Sequence, residues 1–337
     1  MRQKIQKRAV PMICVVLLCM SLLCSTASAA TLVVIDLADI VDGAAPSIVE
    51  VFTETKQVSS WFQEYVTEGA GSGVVLTEDG YIVTNHHVID GASTIKVRLS
   101  GGQTYTATLK GTDAKTDLAV LKIDASGLVP ARLTDSSKVR VGDFVIAIGN
   151  PLGELGGTVT EGIISAKDRE ISIGGQSMTL FQTSAAVNPG NSGGGLFNLD
   201  GELVGVVNAK SSGSDIEGLA FAIPANTVRT ITQELIQHGY VTGRPQLGVS
   251  VTQVTRPGIS WQPYFDIPGL YISQSLTDNG LKAGDRIIQI DGAAISSAAD
   301  VSAVLDRHSV GDVVKVVVSR SGREITVNVK LTEQKPD

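Results

Sequence analysis

The sequence predicts a mostly β protein: two small β units of similar size in succession, followed by a separate α+β module. Three observations point there. Glycine is abundant, at 36 of 337 residues, while aromatics make up only 4%. Short β-branched runs recur along the chain, separated by turn signals at the spacing of small barrels. Helical periodicity is confined to a few short stretches, the clearest over Val228, Ile231, Leu235 and Ile236. A chain of this length has room for two or three domains with cores of their own.

Residues 1–29 read as an export signal. Arg2, Lys4, Lys7 and Arg8 precede the apolar run Val10–Cys24, and Ala27-Ser28-Ala29 offers a small-residue cleavage site. An uncleaved anchor over residues 9–26 is the alternative, although that run is shorter than the ~20 residues a spanning helix needs. Either way the protein is expected to be exported, to the periplasm, the cell surface or the medium. Cys14, Cys19 and Cys24 all lie in this segment, so the mature chain has no thiol for a disulfide or a cysteine-ligated metal. Without the four N-terminal cations, 23 basic residues face 34 acidic ones, a net of −11. That balance argues against a nucleic-acid partner.

Residues 30–45 read as a linker or first helix, and the double β region as 46–238. Pro46–Thr53 begins an apolar alternation expected to be a strand. Lys56–Gly69 is polar and reads as a loop carrying Trp61, Phe62 and Tyr65. Val74-Val75-Leu76 turns at Asp79-Gly80 and returns as Tyr81–Thr84, a hairpin by turn chemistry. Further strands are expected at Thr94–Leu99, Tyr105–Lys110 and Leu118–Ile123, which completes one small barrel. The second set starts at Asp143–Ile148 and continues through Gly157–Ser165, Ile171–Ile173, Leu180–Thr183, Leu203–Asn208 and Leu219–Ile223. A helix stopped by Gly239 closes it. Residues 243–332 then form the small α+β module, with strands at Leu247–Val251, Gly269–Ser273, Arg286–Ile290, Val313–Ser319 and Glu324–Lys330 and a helix over Ala298–Arg307. No nucleophile and base stand out within it, so it reads as a binding module.

The chemistry centres on Asn188-Pro189-Gly190-Asn191-Ser192-Gly193-Gly194-Gly195. One hydroxyl among four glycines can stand on a tight turn while neighbouring N–H groups converge on one point, the arrangement a serine nucleophile needs. A glycine-rich hairpin loop is the bland alternative. A hydrolase elbow would place the acid and histidine downstream of the serine. Only His238 and His308 lie there, one at a helix end and one after a helix, and both are poor partners. His86 and His87 stand upstream at a strand end, and the residues alone do not choose between them. Asp117, which directly precedes the apolar strand Leu118–Leu121, is the better acid; Asp113 is the weaker one. The resulting order of His, Asp and Ser is that of chymotrypsin-like proteases.

Thr84-Asn85-His86-His87-Val88, Thr116-Asp117-Leu118-Ala119 and Gly190-Asn191-Ser192-Gly193-Gly194 resemble, in order, the three motifs of HtrA (DegP/DegS-like) serine endopeptidases. The resemblance covers Val74 to the C-terminus, including Gly218–Pro224. It implies a chymotrypsin-like double β-barrel followed by one PDZ-like domain over Arg244–Leu331. It selects His87 as the base beside Asp117 and Ser192, and Gly190 and Ser192 as oxyanion donors. It also implies a peptide-carboxylate loop at Leu247, Gly248 and Val249, no cofactor or metal, unfolded or misfolded protein substrates, and a homotrimer. The chain departs from the family at Ser184, where Asp is common, and at Gly195, where Pro or Ala is. A catalytically silent chaperone or peptide-binding scaffold is the reading from another class.

Overall fold

A computed structural model describes residues 36–58, 64–150, 157–173, 176–188, 190–208, 219–255 and 267–335. The export-signal stretch and Trp61 and Phe62 lie outside them. Among the described residues no helix is long and apolar enough to cross a membrane.

The described residues open with α1 (Leu37–Ala44), within the stretch expected as a linker or first helix. Ala44 is buried, and Ile40 and Val41 pack against the core beneath. Strands β1 (Ile48–Val58), β2 (Glu64–Val75) and β3 (Tyr81–Thr84) follow, then the one-turn α2 (His86–Ile89). The first unit is completed by β4 (Thr94–Leu99), β5 (Thr104–Thr106), β6 (Thr108–Asp113) and β7 (Leu118–Lys122). The hydrogen-bonded order is β5-β4-β1-β2-β3-β7-β6. The two ends of this sheet are consecutive in sequence at Ala107, whose N–H donates to the Ile95 carbonyl. The sheet therefore curls back on itself.

The long β1–β2 ribbon differs from the expected polar loop over Lys56–Gly69, since pairing runs out to Val58 opposite Glu64. Residues such as Glu68 and Thr67 are exposed there, so the segment has no apolar face to betray it as strand. Backbone pairing in a two-stranded arm does not need one.

The second unit contains β8 (Phe144–Gly149), β9 (Thr158–Ile173), β10 (Gln176–Thr183), β11 (Gly195–Phe197), β12 (Leu203–Asn208) and β13 (Ala220–Pro224), a closed barrel ordered β10-β13-β12-β11-β8-β9. Helix α3 (Ala225–His238) closes it and ends on Gly239 in the left-handed region, φ 83°, as a glycine C-cap predicts. The two segments read as Gly157–Ser165 and Ile171–Ile173 are one sixteen-residue strand.

Strand β12 shows how the apolar pattern builds the cleft. All six of its residues are buried. Val204 and Val207 fill the second barrel with Leu196 and Phe181, whereas Leu203 and Val206 face a separate core with Val74, Leu118, Ile146 and the α3 residues Val228 and Leu235. A strand buried on both faces reads as a continuous apolar run rather than an alternation. The shared core presses the two β units together, and loops from both meet above it.

The C-terminal module comprises β14 (Pro245–Gln246), β15 (Val249–Val254), β16 (Gly269–Ser275), β17 (Arg286–Ile290), β18 (Ala293–Ala294), α4 (Ala298–Leu305), β19 (Val313–Arg320), β20 (Arg323–Lys330) and β21 (Thr332–Glu333). Its own core is built on Ile272, Ile287, Val314, Val316 and Val329.

Candidate active site

The candidate base is positioned where β3 ends. Asn85 breaks the strand and the chain turns into α2, so His86 and His87 are helical neighbours rather than residues of a strand end. β7 pairs with β3 through Thr84 and Ala119, which carries Asp117 beside that turn. The Asp117 carbonyl accepts from the His86 N–H and from Asn85 Nδ2, both at 3.0 Å. Asp117 has φ 54°, a conformation Asp tolerates better than most residues. Its carboxylate then faces His87, accepting from the His87 N–H at 2.9 Å and from Nδ1 at 2.6 Å.

With Nδ1–H donating to the carboxylate, His87 Nε2 is left as an acceptor. It stands 3.0 Å from Ser192 Oγ. The structure thus brings His87, Asp117 and Ser192 into one chain of contacts between the two β units. His86 is directed elsewhere: its Nδ1 lies 2.8 Å from Thr112 Oγ1, which itself donates to the Leu118 carbonyl. Asp113 faces away from the histidines and is held by both guanidinium nitrogens of Arg244. His238 is the last residue of α3, and His308 stands between Asp291 and Asp312 at 3.3 and 3.7 Å.

The serine loop leaves little freedom around the hydroxyl. Gly193 has φ 85°, and a Cβ there would lie 2.1 Å from the Ser72 carbonyl oxygen, so only glycine fits. Its N–H donates to the Val207 carbonyl, and the Gly194 N–H to that of Asn191. Among the described residues, the N–H groups of Gly190 and Ser192 find no acceptor, which leaves both available to a ligand. A fourth side chain, not anticipated from the sequence, completes the acid's surroundings: Asn208 Nδ2, at the end of β12, donates to Asp117 Oδ2 at 3.0 Å. Its only sequence signal is an amide closing an apolar run.

In the C-terminal module, Gly248 has φ 68°, and a Cβ there would meet Thr277 Oγ1 at 2.6 Å. The carbonyls of Leu247 and Gly248 are bound by Asn279 Nδ2 and the Leu276 N–H. Between β15 and α4 runs a groove of about 240 Å³, lined by Leu247, Val249, Val251, Val301 and Leu305.

Residues 71–206 match the trypsin-like peptidase domain family and residues 245–331 the PDZ domain family. The serine protease Do-like HtrA of Lactobacillus helveticus is 43% identical over 285 residues, covering 79% of this chain and 69% of that protein. The HtrA of Bacillus subtilis strain 168 is 39% identical, with 88% and 73% covered. The chain belongs to the HtrA family of serine proteases. Among solved structures, a serine endoprotease from Yersinia pestis superposes on this HtrA chain with a TM-score of 0.60 at 33% identity, covering 90% of this chain and all of that one. The HtrA-type protease AlgW with a decapeptide gives 0.59 at 32% identity, over 90% and 100%. The chymotrypsin-like protease fold followed by one PDZ domain is therefore the architecture of this HtrA enzyme, and a serine endopeptidase is its activity.

The departures at Ser184 and Gly195 have local explanations. Ser184 Oγ accepts from the Ile163 N–H at 3.1 Å, a bond a carboxylate could make equally well. At Gly195 a Cβ would lie 2.3 Å from the buried Phe197 ring, so the glycine and this phenylalanine are packed as a pair.

Proposed function

We propose that this HtrA protease cleaves unfolded or misfolded proteins outside the cytoplasm with Ser192 as nucleophile, His87 as general base, Asp117 as its orienting acid, and the N–H groups of Gly190 and Ser192 as oxyanion donors. The observation that carries the reading is the continuous contact from Asp117 through His87 to Ser192, at 2.6 and 3.0 Å. Ser192 Oγ attacks the scissile carbonyl as its proton passes to His87 Nε2, and Asp117 stabilises the resulting imidazolium. The two N–H groups take the charge that develops on the carbonyl oxygen. Nε2 then returns the proton to the departing amine as the C–N bond breaks, leaving an acyl enzyme. A water molecule, deprotonated by the same nitrogen, releases the acid product.

The PDZ groove is assigned to peptide C-termini. Its apolar walls suit an apolar last residue, and the loop Leu247-Gly248-Val249 suits the carboxylate, with the peptide added as a strand beside β15. The HtrA-type protease AlgW solved with a decapeptide supports peptide binding by this chain. Export agrees with the basic and apolar N-terminal sequence and with the periplasmic location in the name of the DegP relative from Escherichia coli. Assembly as a homotrimer is carried over from the family resemblance and is read out by light scattering.

Casein digestion by wild type and Ser192→Ala tests the assignment. Hydrolysis is expected to vanish while the circular dichroism spectrum is unchanged. Retained cleavage in a contaminant-free preparation removes Ser192 from the mechanism.

A further inference from the structure

Ser72, fully buried in β2, grips the serine loop on both sides of the nucleophile. Its N–H donates to the Ser192 carbonyl at 2.8 Å. Its Oγ donates to the Gly190 carbonyl and accepts from the Asn150 N–H, each at 2.8 Å. Its own carbonyl accepts from Thr84 Oγ1 at 2.7 Å. One residue of the first unit thus joins the strand leading to the base, the end of β8 and the loop carrying Ser192.

The hydroxyl contact falls on a glycine of that loop. Gly190 has φ 99°, and glycine is the residue with the widest choice of backbone angles. Peptide groups are planar, so the direction of the Gly190 carbonyl fixes the plane of the Gly190–Asn191 unit. That unit links the two donor-bearing peptides, since the Gly190 N–H belongs to the peptide before it and the Ser192 N–H to the peptide after it. Its orientation therefore limits how the two N–H groups can stand relative to one another. Among the described residues, nearby polar side chains offer no second contact to that carbonyl, since Asn191 Oδ1 and both amide atoms of Asn150 find no partner there. The same peptide unit is held at its other end by the Asn191 N–H, which donates to the Asn188 carbonyl at 3.0 Å. The Asn150 N–H reinforces the Ser72 contact, because a hydroxyl that accepts a hydrogen bond donates a stronger one.

We infer that Ser72 is the positioning residue that preorganises the oxyanion donors, acting through Gly190 rather than touching substrate. The inference rests on the reading of Ser192 as nucleophile and of the Gly190 and Ser192 N–H groups as donors.

The test uses the full chain with Ser72→Ala and Ser72→Cys. Cysteine keeps the volume but supplies only a weak S–H donor, which separates the hydrogen bond from packing. Competent sites are counted by driving fluorophosphonate labelling to completion and reading the modified residue by mass spectrometry. kcat per labelled site and KM are measured on a quenched fluorescent peptide that the wild type cuts. Both variants are expected to lose about 10- to 100-fold in kcat per site, less than deleting a donor outright. KM should stay within about twofold, since ground-state binding is untouched. A variant that is merely less well folded would instead show fewer labelled sites at normal kcat. Wild-type kcat per site in Ser72→Ala overturns the inference, as does full activity in Ser72→Cys, and the latter variant alone decides if the alanine protein does not fold. Labelling at a residue other than Ser192, or hydrolysis by Ser192→Ala, would instead strike the proposed function.

Discussion

Asp117 accepts three hydrogen bonds on its carboxylate, two from His87 and one from Asn208. A donor to a charged acceptor contributes about 1.5–3 kcal/mol. Asn208→Ala is therefore expected to lower kcat by roughly tenfold or more while the barrel persists, and steady-state kinetics beside a thermal melt will read both. Unchanged kcat would mean the amide only fills space at the end of β12. A harsher outcome is expected at Gly193, where alanine would have to adopt φ 85° and place its Cβ against the Ser72 carbonyl. Overpacking of this kind costs about 1–3 kcal/mol before strain is added, so Gly193→Ala should lose both activity and melting temperature. The three side chains that the structure brings together, Ser192, His87 and Asp117, were legible because the chemistry proposed for them needs particular residue types in short motifs. Asn208 and Ser72 were not, since an amide and a hydroxyl in strands are ordinary until the fold sets them against Asp117 and Gly190.

At the scale of elements, the strands with an apolar face on one side were readable, and so were Gly239 and the helix it ends. The ribbon β1–β2 was not, because residues 66–70 are exposed and its pairing is a backbone matter. The one-turn α2 was hidden as well, four residues being too few to show a period. Helix α4 carries a more decipherable device. Ser297 accepts from the Asp300 N–H, and the Asp300 carboxylate accepts from the Ser297 N–H, a reciprocal cap, while Ser296 donates to the same carboxylate at 2.7 Å. Those bonds, the Ser296 hydroxyl foremost, hold the Asp300 carboxyl below its ordinary range. A depressed folded-state value means that the stabilisation is fully present above the unfolded carboxylate's value of about 3.9 and is lost as pH falls through the folded one. Asp300→Asn should flatten that acid limb of the stability profile. Ser297→Ala should cost about 1 kcal/mol at neutral pH, which calorimetry at a series of pH values can separate. Because α4 forms one wall of the PDZ groove, peptide affinity should fall with it.

At the scale of the molecule, two ion pairs among the described residues join the protease unit to the PDZ module, and they are of unlike kind. Arg244 grips Asp113 with both nitrogens, and that carboxylate is only 7% exposed. Lys115 meets Asp306 at the end of α4 with the two side chains 33% and 48% exposed. Neither pair can be read from sequence, since their partners lie 131 and 191 positions apart. Both anchor the segment 113–117 that presents Asp117 to His87. Removing one member of a buried pair strands the other charge, at about 3–5 kcal/mol, whereas an exposed pair contributes about 0–1. Asp113 keeps donors from the Thr116 and Lys115 N–H groups, which puts Arg244→Ala at the low end of the buried range, about 3 kcal/mol. Lys115→Ala should shift stability by less than about 1 kcal/mol. Hydrogen exchange over residues 113–117 should rise in the arginine variant and stay near wild type in the lysine variant, with kcat following exchange because the acid sits at the end of that segment. Equal effects from the two substitutions would show that burial at Asp113 does not govern the joint between the domains.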